Sequence, residues 1–515
     1  MKFFRMGGSL AASLLLFSLA ISPAFAQKQT QLVIAIQSQP PGLDTHINTV
    51  AITNDLARHI FEGLVTMDDK LQIKPALASS WDVSDDGKTY VFHLRKGVKF
   101  HNGVVLTAKD VVASMQRWSR YSNPGRLTFP NATWTATDDA TVKLEVPAAS
   151  YKVLFALGNA YNQPAAVMPA SVVEAAGEKP TRDIVGTGPY KLKEWVPDQY
   201  LTLEKFSGYT PTEGPANGWS GNKTASIDTL RFEFIADDAT RVLGLQTGKY
   251  QVVPNVPYDS VQVLRGDRKV KIVTYPFTSL FVITNKANGI FKDVRARKAM
   301  DMAINKEDVL FAAASSEDLF TPNYQLMSAD QRSLWDTQIG KEEYYKVDTK
   351  QAQTLLKELG YDGREIVMIT SRDNSSNYNA AVMIQEQLRA IGLKVRLDVY
   401  DWPTFVDVRA KREGWDMQVV SNTYKVDPTH WLHLAKSYSG FTNDPALDNI
   451  LEHFNKAKDW KEAGQLYDDL MKWHVAYVPA TKIGDTSGVV AYTASIPDLP
   501  VMGGPLYWRV QPPKQ

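Results

Sequence analysis

Between residues 348 and 420 the chain alternates helix and strand signals in a way that leaves few folds open. Asp348 stands at an N-cap position before Ala352, Leu355, Leu356 and Leu359, which share one helical face, and Gly360 stops the helix. Residues 365–370 read as a strand and 371–376 as a polar loop. Residues 377–391 read as a helix ended by Gly392, and Leu393, Val395, Leu397 and Val399 then alternate as a strand. Pro403 opens another helix, and residues 415–420 form a last strand. A β-α-β-α-β run predicts a parallel sheet with right-handed crossovers. Such sheets bind ligands beyond the carboxyl ends of their strands. The loops 371–376 and 421–430 occupy that position, and the second carries Tyr424, Lys425, Asp427 and His430.

The rest of the chain punctuates itself in the same style. Residues 32–36 form an apolar strand ended by Gln39-Pro40-Pro41-Gly42, and residues 54–61 read as a short helix before Gly63. Asp85-Asp86-Gly87 is a turn before alternating Tyr90, Phe92 and Leu94. Thr107-Ala108-Lys109-Asp110 opens a helix with a capping box, and Val111, Val112, Met115 and Trp118 fall on one face. Asp138-Asp139 turns the chain before Val142, Leu144 and Val146, and residues 209–221 read as a surface loop.

Residues 1–26 read as a cleavable signal peptide: Lys2 and Arg5 lead an apolar run, residues 10–21, and Ala24-Phe25-Ala26 is a small-x-small cleavage site. Twelve apolar residues are too few to span ~30 Å of hydrocarbon. Cleavage removes two positive charges and takes the net charge from +1 to −1. That balance gives no support to a nucleic-acid partner. The chain has no cysteine, which excludes disulfides, thiolate metal sites and a lipid-carrying cysteine at the cleavage site. Export to a Gram-negative periplasm as a free monomer without a membrane anchor is the simplest expectation.

Catalytic signatures are missing. Gly186-Thr187-Gly188 begins like a dinucleotide loop but continues Pro189-Tyr190-Lys191, and residues 244–249 fall one short of a phosphate loop. No G-x-S-x-G elbow or H-E-x-x-H motif occurs. His430 and His433 could share a helix face as metal ligands, although a packed or surface pair explains the spacing as well. Lys292, Arg295, Arg297 and Lys298 read as a solvated helix start. No cofactor and no resident metal are expected, and the chain does not read as an enzyme.

Several segments together resemble the family 5 extracellular solute-binding proteins, the peptide/nickel group that serves ABC transporters. They are Phe61-Glu62-Gly63-Leu64-Val65, Pro75-Ala76-Leu77-Ala78-Ser79-Ser80-Trp81, residues 84–90 running into 92–100, Thr107-Ala108-Lys109-Asp110-Val111-Val112, Val185-Gly186-Thr187-Gly188-Pro189-Tyr190, Phe291-Lys292-Asp293-Val294-Arg295 and Ala390-Ile391-Gly392-Leu393. The resemblance implies an α/β, two-lobed periplasmic binding protein that closes like a flytrap, with a third domain added. It implies a discontinuous lobe one (27–68, 185–284 and 485–515), an extra domain (69–184) and a lobe two (285–484). Hinge strands are expected near 274–285 and 481–485. The implied partners are a small-molecule ligand and the permease subunits of an ABC importer.

Ligand anchors are less regular. Dipeptide binders of the family hold the ligand ammonium with an aspartate in a W-x-x-D pattern before a proline. Aligned on Pro428, that aspartate position is Tyr424, with Lys425 beside it, and Asp427 is offset by three residues. Arg372 falls within one residue of the family's carboxylate-binding arginine, and a guanidinium fork suits a carboxylate. Asn374 lies in the same loop. Tyr378, Trp402 and Tyr424 could stack on a ligand, and Gln39 follows the first strand where family members line the cleft. The expected ligand is a peptide or a carboxylate-bearing amino-acid conjugate. An opine-type conjugate, an oligosaccharide and a nickel chelate are the alternatives, and a secreted hydrolase using His430 is the distant one.

Overall fold

The computed structural model describes Met1 and residues 30–512. The signal-peptide reading of residues 1–26 therefore lies outside the described residues, apart from Met1. Among the described residues no helix is long and apolar enough to cross a membrane.

Eleven strands form one large sheet. At one end lies the predicted β-α-β-α-β unit. Glu365–Ser371 is central, with Lys394–Tyr400 and Met417–Thr423 parallel to it on either side. Its local signals act as read. The Asp348 carboxylate accepts from the Gln351 amide at 2.9 Å, and Gly360 ends that helix at φ 76. The crossover helix is Ser375–Ala390, capped by Asn374, and Asp401 caps the helix Trp402–Arg409. Met368, Ile384, Leu388 and Met417 are fully buried between these layers.

At the other end, Gln31–Ile36 pairs in parallel with Thr229–Phe234 and Val252–Pro254, followed outward by the hairpin Tyr190–Val196 and Tyr200–Lys205. Two long antiparallel strands join the ends: Val270–Thr284 and Ala480–Thr493. Thr278 to Thr284 pairs with Met417–Thr423, whereas Val490 to Tyr492 pairs with Val252–Pro254. The pair thus links the two ends of the sheet. Their register is irregular between Pro276 and Thr278 and between Leu280 and Phe281. Pro276 lacks an amide donor, so the ladder is interrupted there.

Polar side chains cluster at this crossing. The Asp485 carboxylate accepts from Ser279 Oγ at 2.6 Å and Asn323 Nδ2 at 2.6 Å, and it pairs with Lys482 Nζ at 2.8 Å. Lys482 and Asp485 side chains are only 3% and 7% exposed. Buried charges demand partners, and this trio supplies them across both strands.

A second sheet stands apart: Ala78–Val83, Thr89–Leu94, Thr141–Glu145 and Thr133–Asp138, all antiparallel. The helix Ala108–Tyr121 packs on it, burying Val111, Met115 and Trp118 against Phe92 and Leu144. Its capping box forms as read, with Asp110 accepting from the Thr107 amide at 2.8 Å.

Two sequence readings shift. The first helix is Ala51–Ala57 rather than 54–61, because residues 59–61 leave the helix to bond the Gly186-Thr187-Gly188 segment. The Gly188 amide donates to the Ile60 carbonyl at 2.8 Å, and the Tyr190 amide to the His59 carbonyl at 3.1 Å. A Cβ at Gly186 would stand 2.1 Å from the Ile60 oxygen, so backbone proximity fixes that glycine. Glu62 completes the join: it accepts from Thr187 Oγ1 at 3.0 Å and pairs with Lys223 at 3.4 Å. Arg297, read as part of a solvated basic face, is 2% exposed. Its guanidinium donates to the Tyr477 and Val478 carbonyls at the end of the helix Trp460–Tyr477, and to the Phe291 and Lys292 carbonyls. It closes a helix C-terminus, where cations are favoured.

Candidate functional site: a cleft between two lobes

The carboxyl ends of Gln31–Ile36, Thr229–Phe234 and Val252–Pro254 face one way because the three strands are parallel. Gln37, Ser38 and Asn255 continue from them into a cavity of about 190 Å³, which Ile52, Asp55 and Tyr507 close. Asn255 sits at φ 56, a left-handed conformation uncommon outside glycine that concentrates at functional sites.

Asp55 and Arg58 lie one helical turn apart on this wall and pair at 2.7 Å. Burial raises the Asp55 carboxyl despite that partner. The rest of the Arg58 guanidinium is spent on the Asn54, Met502 and Gly503 carbonyls, at 3.3, 3.1 and 3.0 Å. Tyr275, on the first crossing strand, is buried beside Asp55, and burial and that carboxylate raise its hydroxyl.

A second group of side chains is built at the end of Met417–Thr423. The Tyr424 amide donates to the Phe277 carbonyl of the crossing strand at 3.0 Å, which fixes where the side chain begins. Its ring stacks on Tyr161 at 4.5 Å between centroids, and Tyr161 packs edge-on against Trp219 at 4.6 Å. The Tyr424 hydroxyl donates to Asp330 Oδ2 at 3.2 Å. Burial raises the Asp330 carboxyl, while Ser328 and Tyr424 act against it.

The residues singled out in the sequence disperse. Tyr424 belongs to the group just described, directly after the strand Met417–Thr423. Lys425 follows it, with Nζ 3.4 Å from Thr423 Oγ1 and an ammonium lowered by burial. Asp427 is buried at a junction. It accepts from Tyr151 at 2.5 Å and from the Thr429 amide and hydroxyl. Burial opposes its charge, but Lys152, His430 and these bonds prevail and lower it. Arg372 is exposed at the outer edge of the sheet, its guanidinium donating to the Val399 carbonyl at 3.2 Å. Asn374 spends its side chain on the Asn377 amide as a helix cap. Tyr378 and Trp402 are exposed near Arg372, and the Trp402 amide donates to Asp373 at 2.7 Å. Gln39 bonds both the carboxylate and the amide of Asp198 at the hairpin turn.

His433 is buried 5.8 Å from His474 between ring centroids, and burial drives its imidazole well below the ordinary value. Among the described residues no three histidine, aspartate or glutamate side chains are placed to hold a metal ion. Sequence reasoning passed over Asp55, Arg58, Tyr161, Tyr275 and Asp330. Apart from Asp55 and Arg58, which share one turn, they come from separate segments with no shared motif.

The comparisons with known proteins agree with this architecture. A probable peptide ABC transporter periplasmic-binding protein of Sinorhizobium fredii is 26% identical over 497 residues, covering 91% of each chain. A glutathione-binding protein of Pectobacterium atrosepticum is 28% identical over 476 residues, covering 88% of this chain and 87% of its own. The crystal structure of an ABC transporter substrate-binding protein from Listeria monocytogenes superposes with a TM-score of 0.78 at 21% identity, covering 91% of this chain and 95% of its own. Residues 72–443 match the middle region of the bacterial extracellular solute-binding proteins, family 5, and the chain belongs to that family.

Proposed function

We propose that the chain captures a small solute between its lobes in the periplasm of a Gram-negative cell and delivers it to the membrane subunits of an ABC importer. The observation that carries this reading is the pair of crossing strands. Two walls built at strand ends are linked by Val270–Thr284 and Ala480–Thr493, whose ladder is irregular at Pro276. That is the construction a hinge requires. We place lobe one at 27–68, 185–284 and 485–515, the extra domain at 69–184 and lobe two at 285–484. The ligand class we favour is a peptide or a peptide-like amino-acid conjugate, since the relatives above are named for peptides and glutathione. The site's role is binding rather than turnover. Of the residues read from sequence, Tyr424 is the one we retain as a ligand contact, beside Asp55, Tyr161, Tyr275 and Asp330.

Thermal shift tests this directly. A ligand at ~100 times its Kd stabilises the folded state by about 2.7 kcal/mol. A chain of this length carries roughly 1 kcal/mol of unfolding entropy per kelvin. Glutathione or a di- to tripeptide should therefore raise Tm by about 2–3 °C. No shift across a peptide panel, together with no small molecule retained by the purified protein in native mass spectrometry, overturns the reading.

A further inference from the structure

Asp427 reads as a loop carboxylate open to a ligand, yet a residue from a distant part of the chain occupies it. Tyr151 falls in the extra domain placed at 69–184, and Asp427 in lobe two at 285–484. The Tyr151 hydroxyl donates to Asp427 Oδ2 at 2.5 Å, and both residues are buried. Lobe-two side chains enclose the ring. Trp335 and Trp460 stand edge-on to it at 6.1 and 5.0 Å between centroids, and Phe454 and Ala457 belong to the same cluster. The Tyr151 amide donates to the Ala457 carbonyl at 3.2 Å. Lys152 Nζ donates to Thr429 Oγ1 at 3.2 Å and to Asn455 Oδ1 at 3.1 Å, and Phe155 packs edge-on against Trp460 at 4.9 Å.

The start of the helix Lys152–Gly158 is thus plugged into lobe two. Chain connectivity does not enforce this. Residues 69–184 reach lobe two only through lobe one and the crossing strand Val270–Thr284, so the contact breaks when the lobes part. Parting strips a buried carboxylate of a charge-assisted donor and returns an aromatic ring to water, so the closed form alone gains these contacts. Tyr151 has no face left for a solute, being 5% exposed with its hydroxyl taken. We propose that Tyr151 is a positioning residue for the closed state: the extra domain seats it in lobe two once the lobes have met, and the seat slows release of the solute without contacting it. This rests on the solute-binding reading and deepens it. Capture occurs in the open form, before the ring is seated, so association is left unchanged. Release requires unseating, so the effect falls on the off-rate.

The test is stopped-flow tryptophan fluorescence on the mature protein with two probes, glutathione and trialanine. Trp460, against the Tyr151 ring, is a reporter in place. Tyr151→Phe keeps the ring but loses the bond to Asp427, and should accelerate release about tenfold. Tyr151→Ala loses the ring as well, and should accelerate it about a hundredfold. Association rates should stay within about twofold of the wild type in both variants. An unchanged circular-dichroism spectrum with a single melting transition shows that each variant is folded, and Tyr151→Phe keeps the test open if Tyr151→Ala is not. Unchanged release in the folded variants, or association slowed as much as release is accelerated, overturns the inference. Either result leaves the solute-binding reading standing, because the wild type still binds. Absence of any binding by the wild type overturns the inference too, and is the one outcome that counts against the solute-binding reading as well.

Discussion

Asp485 holds the crossing of the two shared strands, and replacing it with alanine isolates that role. Lys482 Nζ would keep its bond to the Gln325 carbonyl at 2.6 Å but lose the one carboxylate within ion-pairing distance among the described residues. Both side chains are almost fully enclosed, at 3% and 7% exposure, so solvent cannot compensate. Removing one member of a buried pair costs about 3–5 kcal/mol. The same change strands Ser279 Oγ and Asn323 Nδ2, which both donate to Asp485. Lys482 can relieve part of the penalty by losing its proton, since burial already lowers its ammonium. That relief sets the outcome near the lower end, about 3 kcal/mol. With roughly 1 kcal/mol of unfolding entropy per kelvin for a chain this long, Tm should fall by about 3 °C if the chain melts as one unit. It should fall further if lobe two melts alone. The assay is calorimetry on Asp485→Ala, with Lys482→Met added as a second variant. The double variant should recover much of the loss, because no unpaired charge then remains. A loss below 1 °C for Asp485→Ala, or no recovery on adding Lys482→Met, would refute the argument that charge pairing holds the crossing.

The remaining predictions concern packing, pH and ligand contact. Gly186→Ala forces a Cβ to 2.1 Å from the Ile60 carbonyl oxygen, and should cost about 1–3 kcal/mol in urea denaturation. Burial lowers the His46 imidazole to about 4, and the His59 and His474 imidazoles to about 3. The unfolded chain takes up these protons near pH 6.5, whereas the folded chain does not until its lowered values are reached, so stability falls as pH drops from about 6.5 toward 4. At pH 5 each such histidine costs at most about 2 kcal/mol, and the urea midpoint should be visibly lower than at pH 7. Arg372→Ala should leave the affinity of any ligand found within about twofold, because its side chain is exposed at the sheet edge, where it donates to the Val399 carbonyl, whereas Tyr424→Ala should lower affinity tenfold or more in titration calorimetry.

What the sequence made legible was local. The Asp348 cap, the Gly360 stop, the Thr107–Asp110 capping box and the parallel β-α-β-α-β unit all rest on interactions within a few residues or on simple periodicity. The parallel sheet in turn put Tyr424 at a strand end, although the strand runs on to Thr423 where the loop was read as starting at 421. The remainder of the cleft was hidden because its residues meet only through tertiary packing. Asp55 comes from the first helix, Tyr161 from a loop, Tyr275 from a crossing strand and Asp330 from a single turn. Asp427 shows the converse. As a loop aspartate it looks available, yet Tyr151, more than 270 residues away in sequence, takes its carboxylate. Arg297 likewise reads as surface charge until the end of the helix Trp460–Tyr477 arrives, with the Phe291 and Lys292 carbonyls, to accept from its guanidinium.

The central claim is closure of two lobes over a solute, and small-angle X-ray scattering on one preparation tests it most directly. Any retained ligand is removed by unfolding and refolding, and scattering is recorded before and after adding back the small molecule that native mass spectrometry identifies. The account predicts a smaller radius of gyration on ligand addition, saturating at one ligand per chain. An unchanged radius at saturating ligand would contradict it.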